Sequence, residues 1–83
     1  MSVIEIVKGL LDHTMELGAR AYALEPDSPL LGALPELDSM AVVGILTGLE
    51  EQFGFEVGDD EIAADTFATL GTLVEFVERK LAG

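Results

Sequence analysis

The sequence predicts an all-α fold: a small four-helix bundle of three longer helices and one short one, with a long first loop. Three observations lead there. Apolar residues recur at three- and four-residue spacing in three separate stretches, the mark of amphipathic helices. A side chain able to cap a helix N-terminus precedes each stretch. Three prolines fall within ten residues between the first stretch and the second, where no helix can continue. Eighty-three residues allow one domain, spanning 1–83, and 49% hydrophobic content gives it enough apolar surface to form a core.

Ser2 and Glu5 form a Ser-x-x-Glu capping box ahead of the first stripe, Val3, Ile6, Val7, Leu10, Leu11, Thr14 and Met15. Gly18 is a plausible end for this helix, although Ala19–Leu24 could prolong it. Glu25-Pro-Asp-Ser-Pro29 breaks it. The chain to Leu37 then reads as a loop, and Leu30, Leu31, Leu34 and Leu37 make it a loop that packs on the core.

Asp38 is a good N-cap for the second long helix. Val43, Leu46, Glu50 and Phe53 share one stripe of it; Val42, Ile45 and Leu49 share the neighbouring one. Gly54 closes it. Gly44 and Gly48 cost about 1 kcal/mol each inside a helix, which implies close approach by something on their shared face. Asp59–Ala64 reads as the short helix, with its acids in the first turn. Thr69 caps the last helix, whose inner stripe is Leu70, Leu73, Val74, Val77 and Leu81.

Composition excludes whole classes of function. With no cysteine there is no disulfide, thiolate metal site or cysteine nucleophile, and one histidine cannot build a multi-histidine zinc site. Four basic residues against sixteen acids give a net charge of −12. Phosphate-backbone binding needs clustered Lys and Arg, so nucleic acid is not a partner. Residues 21–78 contain no base and thirteen acids, the sixteen less Glu5, Asp12 and Glu16. Such a field steers a molecule toward basic surfaces or simply keeps it soluble. The longest uncharged apolar-rich stretch, Ser39–Leu49, is too short to span a bilayer, and the N-terminus lacks the basic region of a secretory signal. A soluble, cytoplasmic, monomeric protein is expected.

Chemistry concentrates at Leu37-Asp38-Ser39-Met40. A serine hydroxyl stands at a helix N-terminus, where free backbone N–H groups and the helix dipole favour an attached phosphate. His13 lies in the first helix and both lysines lie near the termini, so no base is placed to activate Ser39. Ser39 therefore reads as an acceptor of a modification or, on local sequence alone, as a simple cap. No catalytic residue and no metal site is expected.

These residues, followed by Val43, Leu46, Leu49-Glu50-Glu51 and Phe53-Gly54, resemble the modification-site helix of acyl carrier proteins. Phe67-x-Thr69 opening the last helix is similar to the same family. The resemblance implies 4′-phosphopantetheine attached to Ser39 by a phosphopantetheinyl transferase, with Asp38 and Met40 beside it. It implies an acyl group held as a thioester, loaded by a ligase and passed to acyltransferase or synthase enzymes. It also implies an acyl pocket lined by Val43, Leu46, Ile62 and Phe67. Partners would dock on the second long helix, at Met40, Ala41, Gly44, Thr47, Gly48, Glu50 and Glu51. Where carriers of standard fatty acid synthesis commonly hold acidic or polar residues, this chain has Ala41 and Gly44, which points to a specialised pathway and more apolar docking. Leu-Asp-Ser-Met also occurs in D-alanine carriers, so an aminoacyl cargo is an alternative. An acidic interaction module with Ser39 unmodified, an inhibitor or nucleic-acid mimic, is another.

Overall fold

Ser2 starts the first helix as expected: its hydroxyl accepts the Glu5 N–H at 3.3 Å. The computed structural model describes residues 2–83, apart from the side chain of Asp59. It contains α1 (Val3–Met15), α2 (Ala19–Ala23), α3 (Ser39–Phe53) and α4 (Leu70–Ala82), with 3-10 turns at Asp59–Glu61 and Ala64–Phe67. The α1 helix packs against α2, α3 and α4 and is the hub of the bundle. The only pairing outside helices among the described residues is an isolated bridge between Pro29 and Thr69.

The four-helix, all-α expectation holds, but the short helix is elsewhere. Residues 19–23 do not prolong α1. Glu16 takes the left-handed conformation at φ 54°, Gly18 follows at φ 62°, and the Gly18 N–H donates to Asp12 Oδ1 at 2.7 Å, so the chain turns before helix resumes. Residues 59–64, expected as the short helix, make one 3-10 turn and then run extended at Ile62 and Ala63. Three acids in succession, followed by one large apolar side chain and two alanines, give that segment little to bury.

The core comprises Val7, Leu11 and Met15 of α1, Ala41, Ile45 and Leu49 of α3, and Leu70, Leu73, Phe76 and Val77 of α4. Ala21 joins it from α2, and Leu17, Leu30, Leu37 and Phe67 join it from the connections. Full burial of a leucine such as Leu11 contributes about 2 kcal/mol. Phe76 takes the inner place expected for Leu81, which is exposed at the end of α4.

The loop from Leu24 to Asp38 is fastened at its first half. Leu30 and Leu31 N–H donate to the carbonyls of Ala68 and Phe67 at 2.9 and 3.0 Å. In return Leu70 and Gly71 N–H donate to Ser28 and Pro26 at 3.0 and 2.7 Å. Two N–H groups that the start of α4 cannot satisfy within the helix are thereby used to hold the loop.

Among the described residues two ion pairs cross between elements, Arg20–Glu36 and Lys80–Glu61. Arg20 and then the backbone N–H of Glu36 itself hold the Glu36 carboxyl below its ordinary 4.5; the Gly58 N–H and then Lys80 do the same for Glu61. Against these stand the other eleven acids of residues 21–78, a stretch whose sequence contains no base. Melting temperature at pH 7 is therefore expected to rise with added salt, as screening shortens repulsion to about 8 Å at 0.15 M. Mild acidification should raise it further. The trend should reverse well below pH 4.5, because a depressed carboxyl gives stability that is present above its unfolded value and lost as pH falls through the lowered one. A melting temperature flat from low to molar salt would show that repulsion does not limit stability.

Candidate functional site

Leu37 is buried and pins the chain just ahead of α3. Asp38 follows in extended conformation, and its Oδ1 accepts the Ala41 N–H at 2.8 Å. This cap satisfies one first-turn donor and sets the entry angle of the helix. Ser39 is then the first residue of α3 and is exposed, as is Met40 at 79%. The hydroxyl thus stands at the positive end of a 15-residue helix, beside first-turn N–H groups that have no partner within it. Behind it the loop is tight: Leu37 N–H donates to Leu34 O and Asp38 N–H to Glu36 O, at 3.0 and 3.1 Å. The Arg20–Glu36 pair ties the same segment to α2.

Val42, one turn along α3, begins an apolar cleft of about 230 Å³ lined by Leu31, Val42, Ile62, Ala63, Ala64 and Phe67. Ile62 and Phe67 both line it. Val43 does not: it is 58% exposed and points away from the cleft, whose α3 wall is Val42. Leu46 is half-buried against the core and is not among the lining residues. Leu31, Val42, Ala63 and Ala64 line it without being among the residues that the resemblance implies. The spacing of Val42 from Ile45 and Leu49 carried a signal for that stripe; nothing local marked the two alanines.

The docking face also needs correction. Ala41 is buried at 8% exposure. A Cβ on Gly44 would stand 3.1 Å from Thr14 Cγ2, and one on Gly48 would stand 2.9 Å from Leu10 Cδ2. Both glycines therefore face α1 and let the two helices approach closely. Glu50 is half-buried, and its Oε2 accepts the Val57 N–H at 2.7 Å, so it holds the following segment. Met40, Val43, Thr47 and Glu51 are the exposed residues of this helix face. His13 is exposed on α1.

Residues 3–77 match the family model described as "Phosphopantetheine attachment site". The acyl carrier protein of Sinorhizobium fredii is 34% identical over 77 residues, covering 93% of this chain and 91% of that protein. The acyl carrier protein of Helicobacter acinonychis is 31% identical over 84 residues, covering 99% of this chain and all of that protein. A solution NMR structure of a holo acyl carrier protein from Nitrosomonas europaea is 53% identical and superposes with a TM-score of 0.92 over the whole of both chains. The exposed serine on a capped helix, the apolar cleft beside it and these likenesses converge on one conclusion: the chain belongs to the acyl carrier proteins, which carry acyl groups on 4′-phosphopantetheine.

Proposed function

We propose that Ser39 is the residue bearing 4′-phosphopantetheine and that the chain delivers its acyl cargo to partner enzymes without catalysing a reaction itself. One observation carries this reading: Ser39 is exposed at the capped start of α3, one turn from Val42 and the apolar cleft. The residues there fit the group. An anionic phosphodiester on Ser39 Oγ would lie by free first-turn N–H groups at the positive end of the helix dipole, while Asp38 has its carboxylate turned to Ala41. When bound, the group supplies the thiol that a chain without cysteine lacks, and on it the acyl chain is held as a thioester.

Leu31, Val42, Ile62 and Phe67 shelter the apolar part of the cargo. Met40, Val43 and Thr47 present an uncharged stripe to partners, and Glu51 stands about 16 Å further along the helix axis from Met40. A partner complementary to this face has an apolar contact beside its catalytic entrance and its basic residues farther off. The partners under this reading are a phosphopantetheinyl transferase, a loading ligase and an acyltransferase or synthase of the cytoplasm, each meeting the carrier as a monomer. Among the described residues no helix is long and apolar enough to cross a membrane.

Absence of cysteine makes thiol titration a clean assay. Incubation with coenzyme A and a broad-specificity transferase, followed by desalting, should give about one thiol per chain for the wild type. Ser39→Ala should give none while melting at nearly the same temperature. A folded wild type that gains no thiol with several transferases would overturn the proposal.

A further inference from the structure

The walls of the apolar cleft are fastened in different ways. On one side Leu31 and Phe67 belong to the backbone stitching between the first loop and the start of α4. The Leu31 N–H donates directly to Phe67 O, with the Leu30–Ala68, Leu70–Ser28 and Gly71–Pro26 bonds around it. Spreading that side requires several backbone hydrogen bonds to break together. The lining is completed by Val42 of α3 and by Ile62–Ala64, a stretch outside any α-helix in which Ala63 and Ala64 are exposed and Ala64 opens the 3-10 turn that ends at Phe67. The Ala63 and Thr66 amides bond within this segment, Ala63 N–H to Thr66 Oγ1 and Thr66 N–H to Ala63 O, at 3.2 and 3.0 Å.

Side chains from α4 tether the two ends of that segment. Thr72 Oγ1 donates to Thr66 O at 3.1 Å. At the other end Lys80 Nζ donates to both carboxylate oxygens of Glu61, at 2.8 and 3.0 Å, and stands 5.8 Å from the Phe55 ring centroid. Lys80 is half-buried and Glu61 exposed, so the pair spans the surface and salt reaches it. Glu61 adjoins Ile62, the cleft residue most exposed to any movement of this wall.

We propose that the Glu61–Lys80 pair is a latch on the yielding wall of the cleft and that it limits the length of acyl chain the cleft shelters. This rests on the reading that the cleft receives cargo from Ser39. Since an apolar cavity of about 150 Å³ takes benzene, about 230 Å³ takes roughly nine carbons before the wall must move. The latch acts beyond that length. Glu61 and Lys80 are not among the lining residues and act as positioning residues.

The test uses the phosphopantetheinylated chain loaded with butyryl, hexanoyl, octanoyl, decanoyl and dodecanoyl groups. Hydroxylamine attacks the thioester carbonyl and breaks its C–S bond, so the rate of thiol release reads how well each chain is sheltered. In the wild type, protection should rise to about octanoyl or decanoyl and then level. In Lys80→Gln the levelling should move to longer chains, with dodecanoyl released about two- to five-fold more slowly than from the wild type and butyryl unchanged. Salt near 1 M, where the screening length is about 3 Å, should move the wild type toward the variant and leave the variant alone. A shift in Lys80→Gln that is equal for butyryl and dodecanoyl, or no shift, overturns the proposal.

Hydrogen exchange on the unmodified chain tests the latch independently of Ser39. Lys80→Gln should speed exchange at the Ala63 and Thr66 amides and leave Leu30 and Leu31 protected. If Leu30 and Leu31 open as readily as Ala63, the walls are not unequal and the latch fails, whatever thiol titration shows for Ser39.

Discussion

Gly71→Ala is expected to destabilise the fold by about 2 kcal/mol, although alanine is the better helix former. A Cβ at position 71 would stand 2.7 Å from the Pro26 carbonyl oxygen and 3.4 Å from its carbon. These are backbone atoms, so no side chain can swing aside. The same carbonyl accepts the Gly71 N–H at 2.7 Å, and pushing it away strains the neighbouring Leu70–Ser28 bond as well. Against this, alanine gains about 1 kcal/mol of helix propensity, too little to offset a main-chain overlap. For a domain of this size the loss corresponds to a fall in melting temperature of about 10 °C. Gly71→Val should cost more. A Gly71→Ala variant as stable as the wild type in urea would mean that the loop yields freely, contrary to the firm cleft wall argued from the same bonds.

Gly44→Glu and Gly48→Glu are each expected to cost about 2 kcal/mol, while Thr47→Glu, on the same helix, stays within about 0.5 kcal/mol. The glycines lie against Thr14 and Leu10 of α1, and a glutamate there must thread its chain between the helices. The contact atom is a flexible leucine methyl at position 48 and a threonine methyl at 44, so alanine is tolerated better than glutamate. Thr47 faces solvent and imposes no such limit. Urea melts of the three variants check this. Gly44→Glu and Gly48→Glu as stable as Thr47→Glu would return the glycines to the outer, partner-facing side that their spacing alone allowed.

Those glycines illustrate where sequence reasoning stops. Ser2, Asp38 and Thr69 are legible as caps because a short polar side chain before an apolar stripe has a single local task, and each bonds the expected first-turn N–H. Gly54 is legible because the helix ends there in a left-handed residue, φ 75°. In α3, however, no charge falls between Asp38 and Glu50, so polarity does not mark the outer face. Two apolar stripes compete, and only packing against α1 decides that Ala41, Ile45 and Leu49 turn inward and Val43 outward. The break at Glu16–Gly18 depends on a non-glycine residue in the left-handed region, which local pattern does not announce. The Ser39 segment was readable from its motif. The cleft was readable only in part, since Leu31, Ala63 and Ala64 reach it through loop contacts formed far along the chain.

The most direct measurement is localisation of the added group. Cleavage after Glu36 and Glu50 releases Leu37–Glu50, a peptide whose two hydroxyl residues are Ser39 and Thr47. After incubation with coenzyme A and a transferase, fragment masses should place the whole phosphopantetheine increment on Ser39, with Thr47 unmodified and no increment in Ser39→Ala. An increment on any other residue, or one retained by folded Ser39→Ala, would contradict the assignment of Ser39 as the attachment point.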